Sequence, residues 1–183
     1  IEVAARDLPL TPQAVFAAVA AVHKHLKGSY AVIALIAGHG LLAFRDPFGI
    51  RPLAIGQLQT DDGLEYMVAS ESVAIEGTGR HVLRDVAPGE AVFIDVDGRL
   101  HTQQCAEHPT LHPCMFEFVY LARPDSVMDG ISVYQARLNL GETLAPVQAL
   151  AKLFEKTGCG AGDVDLYEIN EAFAGVTLAA ARE

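Results

Sequence analysis

The sequence predicts an α+β fold, and three observations carry that prediction. Val15, Phe16, Val19 and Val22 form an apolar stripe at helical spacing near the start. Short apolar or alternating runs, punctuated by glycine and proline, fill the region from about 29 to 122, and helical periodicity returns from Val133. A chain of 183 residues is long enough to bury a core under such a pattern.

The elements follow in order. Thr11 offers an N-cap hydroxyl, Pro12 suits a first helical turn because an N–H there would be unpaired anyway, and Gly28 ends the helix. Strands are expected at 29–37, 40–46, 52–58, 65–69 and 81–85. Gly38-His39-Gly40 and Asp61-Asp62-Gly63 supply residues tolerant of positive φ, so these strands read as a meander of antiparallel hairpins. Ser70 is placed to cap a short helix over 71–75, with Glu71 favoured at the positive end of its dipole. Pro88-Gly89 opens a further hairpin, 90–95 and 99–104, turning at Asp97-Gly98. The segment 116–122 reads as a strand whose alternation sends Phe116, Phe118 and Tyr120 to one face and Glu117 and Val119 to the other. A helix is expected over about 133–144. The composition changes at Ala145-Pro146: a helix with the stripe Val147, Leu150, Leu153 and Phe154 runs to Gly158, a strand covers 164–169, and Asn170 caps a helix through Ala181.

Charge and composition exclude several classes of function. A formal net charge of −10 argues against nucleic acid or an anionic membrane as partner, since both select basic patches. No apolar run approaches the roughly 18 to 20 residues of a membrane span, and the start lacks the pattern of a signal peptide, so a soluble, cytoplasmic protein is expected. Three widely spaced cysteines suggest reduced thiols rather than a disulfide framework. The hydrophobic content of 51% implies apolar surface that awaits a partner or missing segments.

The most informative stretch is Arg45-Asp46-Pro47-Phe48-Gly49-Ile50-Arg51-Pro52-Leu53, which sets two arginines, an aspartate and two prolines between apolar runs. Asp46 can cap local N–H groups or pair with either guanidinium. Two readings stand: a rigid inter-strand corner, or an anion-binding arginine pair. Elsewhere, Cys105, His108, His112 and Cys114 have spacings a zinc site uses, but without a Cys-x-x-Cys pair, and no metal is expected. Asp95-Val96-Asp97-Gly98 imitates the start of a calcium loop yet lacks its closing glutamate, which leaves a turn. His23 and His25, two apart on a helix, face different directions. The run Gly158-Cys159-Gly160-Ala161-Gly162 follows a helix and precedes a strand, the reverse of a dinucleotide fingerprint, and reads as a connector.

Together with Gly28-Ser29-Tyr30-Ala31-Val32, Gly38-His39-Gly40, Tyr66-Met67-Val68-Ala69-Ser70-Glu71-Ser72, residues Leu83 to Glu90 and residues Phe116 to Ser126, the corner resembles amidophosphoribosyltransferase over about residues 1–144. The resemblance implies part of an αββα N-terminal-nucleophile sandwich of the class II glutamine amidotransferases. In that family glutamine gives ammonia to phosphoribosyl diphosphate, forming phosphoribosylamine at the start of purine synthesis, and the full-length enzyme uses Mg2+ with phosphoribosyl diphosphate. Its nucleophile is a terminal cysteine whose own amine is the base, whereas this sequence starts with Ile1. Cys105, Cys114 and Cys159 cannot replace it, the transferase loop has no counterpart here, and an inactive framework with no cofactor is expected. Some family members hold an iron–sulfur cluster through a cysteine near Cys114; the other ligands lie in later regions, and no cluster is expected. In the family this stretch leads toward the transferase domain, and Arg123-Pro124-Asp125 is expected to be a structural switch between domains, with a ligand contact as the alternative. Sheets that lack strands should expose edges, self-associate and fold marginally.

Residues 146–183 resemble something else. Gly162-Asp163-Val164-Asp165-Leu166-Tyr167-Glu168-Ile169-Asn170-Glu171-Ala172-Phe173-Ala174 is similar to a thiolase segment, in which Asn170 would correspond to an oxyanion-hole residue. The thiolase cysteines and histidine have no counterparts, so Asn170 reads first as a helix cap. The alternatives to an amidotransferase fragment are therefore a thiolase-like acyltransferase remnant and a non-catalytic interaction module.

Overall fold

The structure, a computed structural model, describes residues 10–144 and 147–167, the side chains of 142–148 apart. The first helix, α1 (Pro12–His25), starts where Thr11 accepts a hydrogen bond from the Ala14 amide at 3.2 Å. Its buried residues Val15, Phe16 and Val19 are the stripe expected from the sequence. They pack on Leu42, Phe44, Ala91 and Phe93, which come from one face of a sheet.

That sheet has the order β1-β2-β6-β7, built from β1 (Ala31–Ile36), β2 (Gly40–Arg45), β6 (Glu90–Asp95) and β7 (Leu100–Gln104). A second sheet has the order β4-β3-β5, from β3 (Ala54–Thr60), β4 (Gly63–Ala69) and β5 (His81–Asp85). All pairings in both sheets are antiparallel. Register assigns the faces. Leu42 lies between Ala34 and Phe93 and looks toward α1, while Ala43 lies between Ile33 and Val92 and looks toward the second sheet. There Ala43 and Val92 meet Leu53, Ile55 and Val86, all essentially inaccessible to solvent. The outer face of the second sheet, Ala54 and Ala69, carries α2 (Ser72–Glu76) through the fully buried Ile75. The layers thus run helix, sheet, sheet, helix.

Several expectations need correction. The strands do not form one meander: β2 pairs with β6, and the chain passes from one sheet to the other through residues 46–53. The α2 helix starts at Ser72, and Glu71 occupies the N-cap position without a side-chain capping bond. Its carboxylate turns instead to the Arg123 amide and the Ser126 hydroxyl.

The expected strand over 116–122 is a π-helical turn, Glu117–Leu121. Its closing bond runs from the Ala122 amide to the Glu117 carbonyl at 2.9 Å, and Arg137 caps the Phe118 and Ala122 carbonyls at 2.8 and 2.7 Å. Of the face assigned by alternation only Phe118 is buried, whereas Phe116 and Tyr120 are exposed. A small hairpin follows, β8 (Val127–Met128) and β9 (Ile131–Ser132), turning at Asp129-Gly130 with both residues at positive φ. Two helices come next, α3 (Val133–Leu144) and α4 (Val147–Thr157). Beyond a short 3-10 turn, Ala161–Asp163, the residues from Val164 to Tyr167 have no strand partner and are irregular. The junction Ala145-Pro146, the end of the expected strand, Asn170 and the helix it was expected to cap lie outside the described residues.

Candidate functional site

The corner between the sheets is organised by two buried side chains of opposite charge. Arg45 ends β2 with 1% exposure, and the next residue, Asp46, is fully buried. The Asp46 carboxylate accepts hydrogen bonds from the amides of Phe48 (3.0 Å), Ile50 (3.1 Å) and Arg51 (3.1 Å), with a longer one from Tyr30 (3.4 Å). It satisfies the loop amides that the prolines and the reversal leave without ladder partners. Gly49 is required at the turn: its φ is +58°, and a Cβ there would stand 2.9 Å from Leu111 Cδ1 and 3.0 Å from Pro88 Cγ.

Arg45 uses every donor it has. Nε donates to the Arg51 carbonyl (2.6 Å), Nη1 to the Val86 carbonyl (2.8 Å) and Nη2 to the Gly49 carbonyl (2.7 Å). The two remaining donors grip Asp129 through both carboxylate oxygens at 2.7 and 2.8 Å. With five donors engaged, no hydrogen is left to bind an external anion. Arg51 points the other way, toward the buried Glu117 of the π-helical turn, with its own side chain 47% exposed. The two arginines therefore separate rather than converge, and each holds a different part of the segment 117–129.

Further bonds tie the residues just before that segment to the corner, and the segment itself to α2. The amides of Thr110, His112 and Cys114 donate to the carbonyls of Pro47, Phe48 and Ile50. The Val127 amide donates to Ser72 Oγ at 2.9 Å. Arg123 and Asp125 pair with each other at the surface at 2.9 to 3.0 Å and touch the frame through the Arg123 amide, which Glu71 accepts. A cleft of about 450 Å³ opens where these pieces meet, lined by Tyr30, Arg51, Ser70, Glu71, Glu117 and Leu121. Sequence reasoning read Glu71 as a helix-dipole residue and Glu117 by its face in an expected strand, and it passed over Asp129, whose signal was its Asp-Gly turn dipeptide.

The remaining candidates are dispersed. Cys105 is buried with its sulfur against the Phe16 carbonyl, and burial pushes its thiol up to about 11. Cys114 is half-buried and Cys159 exposed. Among the described residues no three His, Cys, Asp or Glu side chains converge as a metal group would require. Asp95 accepts hydrogen bonds from the Asp97 and Arg99 amides, closing the turn expected there. His23 stacks beside Tyr30, its Nδ1 2.7 Å from the hydroxyl, while His25 bonds to its own helix at the Ala21 carbonyl.

The chain is 57% identical over 145 residues to the amidophosphoribosyltransferase of Pseudomonas aeruginosa, covering 79% of this chain and 29% of that protein. The chain is similar to amidophosphoribosyltransferases over about three quarters of its length. The Escherichia coli relative is 55% identical over 140 residues, with 76% and 28% covered, and that of Saccharomyces cerevisiae 46% over 135 residues, with 72% and 26% covered. The amidophosphoribosyltransferase-like part thus spans between a quarter and a third of these relatives' length. Among solved structures, the glutamine phosphoribosylpyrophosphate amidotransferase of B. subtilis, complexed with ADP and GMP, superposes with a TM-score of 0.62 at 34% identity, covering 76% of this chain and 29% of that one. A structure described as the allosteric regulatory enzyme of purine biosynthesis gives the same score at 33% identity, with 77% and 28% covered. The mixed α/β fold is theirs. Residues 132–183 match the model of the thiolase C-terminal domain. That match opens at the end of β9, so it takes in α3 as well as the residues after Ala145-Pro146.

Proposed function

We propose that the amidophosphoribosyltransferase-like part is framework of a glutaminase domain, an αββα N-terminal-nucleophile sandwich of the class II glutamine amidotransferases. The activity it would serve is the glutamine-dependent formation of 5-phosphoribosylamine from phosphoribosyl diphosphate, at the head of purine synthesis in the cytoplasm. Glutamine and phosphoribosyl diphosphate are then the partners of a whole enzyme, with Mg2+ accompanying the diphosphate. One observation carries the reading: 57% identity to an amidophosphoribosyltransferase over 145 residues, 79% of this chain.

What the described residues contribute is structure rather than chemistry. Arg45, Asp46 and Gly49 fix the corner. Arg51, Arg123 and Asp125 position the segment that in the family leads toward the transferase domain. The most buried thiol, Cys105, is held protonated, and a thiol rather than a thiolate does not attack an amide carbonyl. On this reading the chain by itself is further expected to hydrolyse no glutamine and to self-associate through exposed sheet edges. Ammonia release from glutamine, measured beside labelling with a glutamine-mimicking diazo ketone, tests this: both should stay at the no-protein background. Turnover above it, or an adduct on any cysteine of the chain, would defeat the framework reading.

The thiolase match supports a second reading for the tail alone, with Asn170 at the oxyanion-hole position. Thiolysis of acetoacetyl-CoA tests it, and background activity is expected because the sequence offers no counterparts of the thiolase cysteines and histidine.

A further inference from the structure

The apolar clusters of the described residues fall into two groups that share no member. Three clusters, those between α1 and the first sheet, between the sheets and beneath α2, draw only on residues 10–105. The fourth, Phe118, Ala122, Met128 and Val133 with Ala136 against them, comes wholly from residues 118–136. That later segment also satisfies its own backbone. Arg137 caps the Phe118 and Ala122 carbonyls, the Val133 amide donates to the Ser126 carbonyl at 3.0 Å, and α3 packs on the π-helical turn and on β9.

What fastens this segment to the two-sheet body is polar. Arg45 grips Asp129, and Arg51 pairs with Glu117. Glu71 accepts from the Arg123 amide at 2.8 Å and the Ser126 hydroxyl at 2.7 Å, and Ser72 Oγ accepts from the Val127 amide at 2.9 Å. A polar seam parts differently from an apolar one. When both partners of a buried ion pair or hydrogen bond enter water together, each regains hydration, so opening costs far less than deleting one partner. Pulling an apolar cluster apart has no such compensation.

We propose that residues 117–144 are a strap that leaves the body as one cooperative unit along this seam, while the two sheets stay folded. The strap remains tethered by residues 110–114, whose amides hold the carbonyls of the corner. It is shorter than the roughly 40 residues that fold without help, so its release and the loss of its own structure are one event. Release takes Glu117 and Leu121 from one wall of the cleft beside Arg51, so the strap governs access to that cleft. The inference stands on packing within the chain and goes beyond the glutaminase-framework reading, which is judged by glutamine turnover and labelling.

Hydrogen exchange of the native protein, followed at urea concentrations below the unfolding transition, tests the proposal. The amides of Ala122, Arg123, Val127 and Val133 should exchange through one shared opening, more readily and with weaker urea dependence than those of β2 and β6. Glu71→Ala removes the acceptor of Arg123 and Ser126 alone. It should nevertheless speed exchange at all four amides by about tenfold or more, and leave β2 and β6 unchanged. Faster exchange confined to Arg123 and its neighbours would show that the seam opens piecemeal, and equal acceleration in β2 and β6 would show that strap and body are one block; either overturns the proposal. If Glu71→Ala does not fold, the urea dependence in the unsubstituted protein decides, because strap amides that open only together with the sheets would overturn it as well.

Discussion

Arg45 and Asp129, 84 residues apart in sequence, meet through two parallel hydrogen bonds of 2.7 and 2.8 Å, with 1% and 8% of their side chains exposed. This pair joins the corner between the sheets to the turn of the β8–β9 hairpin. Asp129 holds its place at a φ of +49°, the one non-glycine with positive φ among the described residues. Aspartate tolerates that conformation better than most residues, so the turn and the ion pair make compatible demands on one position.

Removing one partner of a buried pair leaves the other charge unsatisfied, which costs about 3–5 kcal/mol. Asp129→Asn, which keeps the left-handed tolerance, should lower urea-measured stability toward that range. Arg45→Lys should do the same, because an ammonium cannot make the two-point grip. Replacing both, Arg45→Met with Asp129→Asn, should cost less than the sum of the single changes. Strict additivity would mean that the pair is not coupled.

The Arg51–Glu117 pair looks similar on paper but differs in its setting. Arg51 is 47% exposed, so water compensates it when its partner is lost, and exposed pairs contribute about 0–1 kcal/mol. Glu117→Gln should therefore cost far less than Asp129→Asn in the same urea titration.

Two titrating groups should pull stability in opposite directions with pH. Burial, and then the neighbouring Asp129 carboxylate, raise the Asp85 pKa above its usual 3.8. A raised pKa means the folded state holds the proton more tightly, so Asp85 supports the fold in acid and loses that contribution as pH rises through the folded value. Asp85→Asn should therefore raise the melting temperature at neutral pH, with the gain vanishing toward pH 3. Burial lowers the His23 pKa from 6.5, so its contribution is present above that value and is lost as pH falls below it. His23→Gln should flatten the acid limb of the melting profile between pH 7 and 5, and an unchanged limb would remove His23 as its source.

Part of this architecture was open to sequence reasoning, for physical reasons that differ by element. The α1 helix was legible because cap, first-turn proline and apolar stripe are all local, and the β1–β2 and β6–β7 hairpins because their glycine turns are local too. The β2–β6 pairing was not, since nothing near Leu42 names Phe93 as its neighbour. The segment 116–122 misled because its alternation mimics a strand; what decides it is Arg137 capping its carbonyls from a later helix. In the corner, Arg45 and Asp46 stood out by type, but the partner that settles the role of Arg45, Asp129, lies in a hairpin of only two residues per strand that carried no strand signal of its own.

Thiol reactivity offers a check on the packing of α1. Cys159 is exposed, Cys114 half-buried, and Cys105 buried beneath α1 with its thiol pushed up to about 11. A disulfide reagent at pH 8 should label Cys159 first and Cys114 next. Cys105 should react only when the protein unfolds, because the thiolate is the reactive form and burial suppresses it. Early labelling of Cys105 in the native protein would show that α1 does not cover it.

Two glycines should respond to the same substitution with opposite signs. Gly56 lies in β3 beneath α2, where a Cβ would come 2.1 Å from Ile75 Cγ2 and 3.1 Å from the His81 carbonyl. Ile75 is fully buried and cannot swing away, so Gly56→Ala overpacks the contact between helix and sheet and should cost about 1–3 kcal/mol. Gly141 lies inside α3 with nothing within 4 Å of its Cβ position. There alanine restricts the unfolded chain and suits the helix, so Gly141→Ala should gain about 0.5–1 kcal/mol. Chemical denaturation of the two variants separates the effects, because helix propensity acts at Gly141 alone and close packing at Gly56 alone. A neutral Gly56→Ala would mean that α2 rests more loosely on β3 than the near-contact at Ile75 requires.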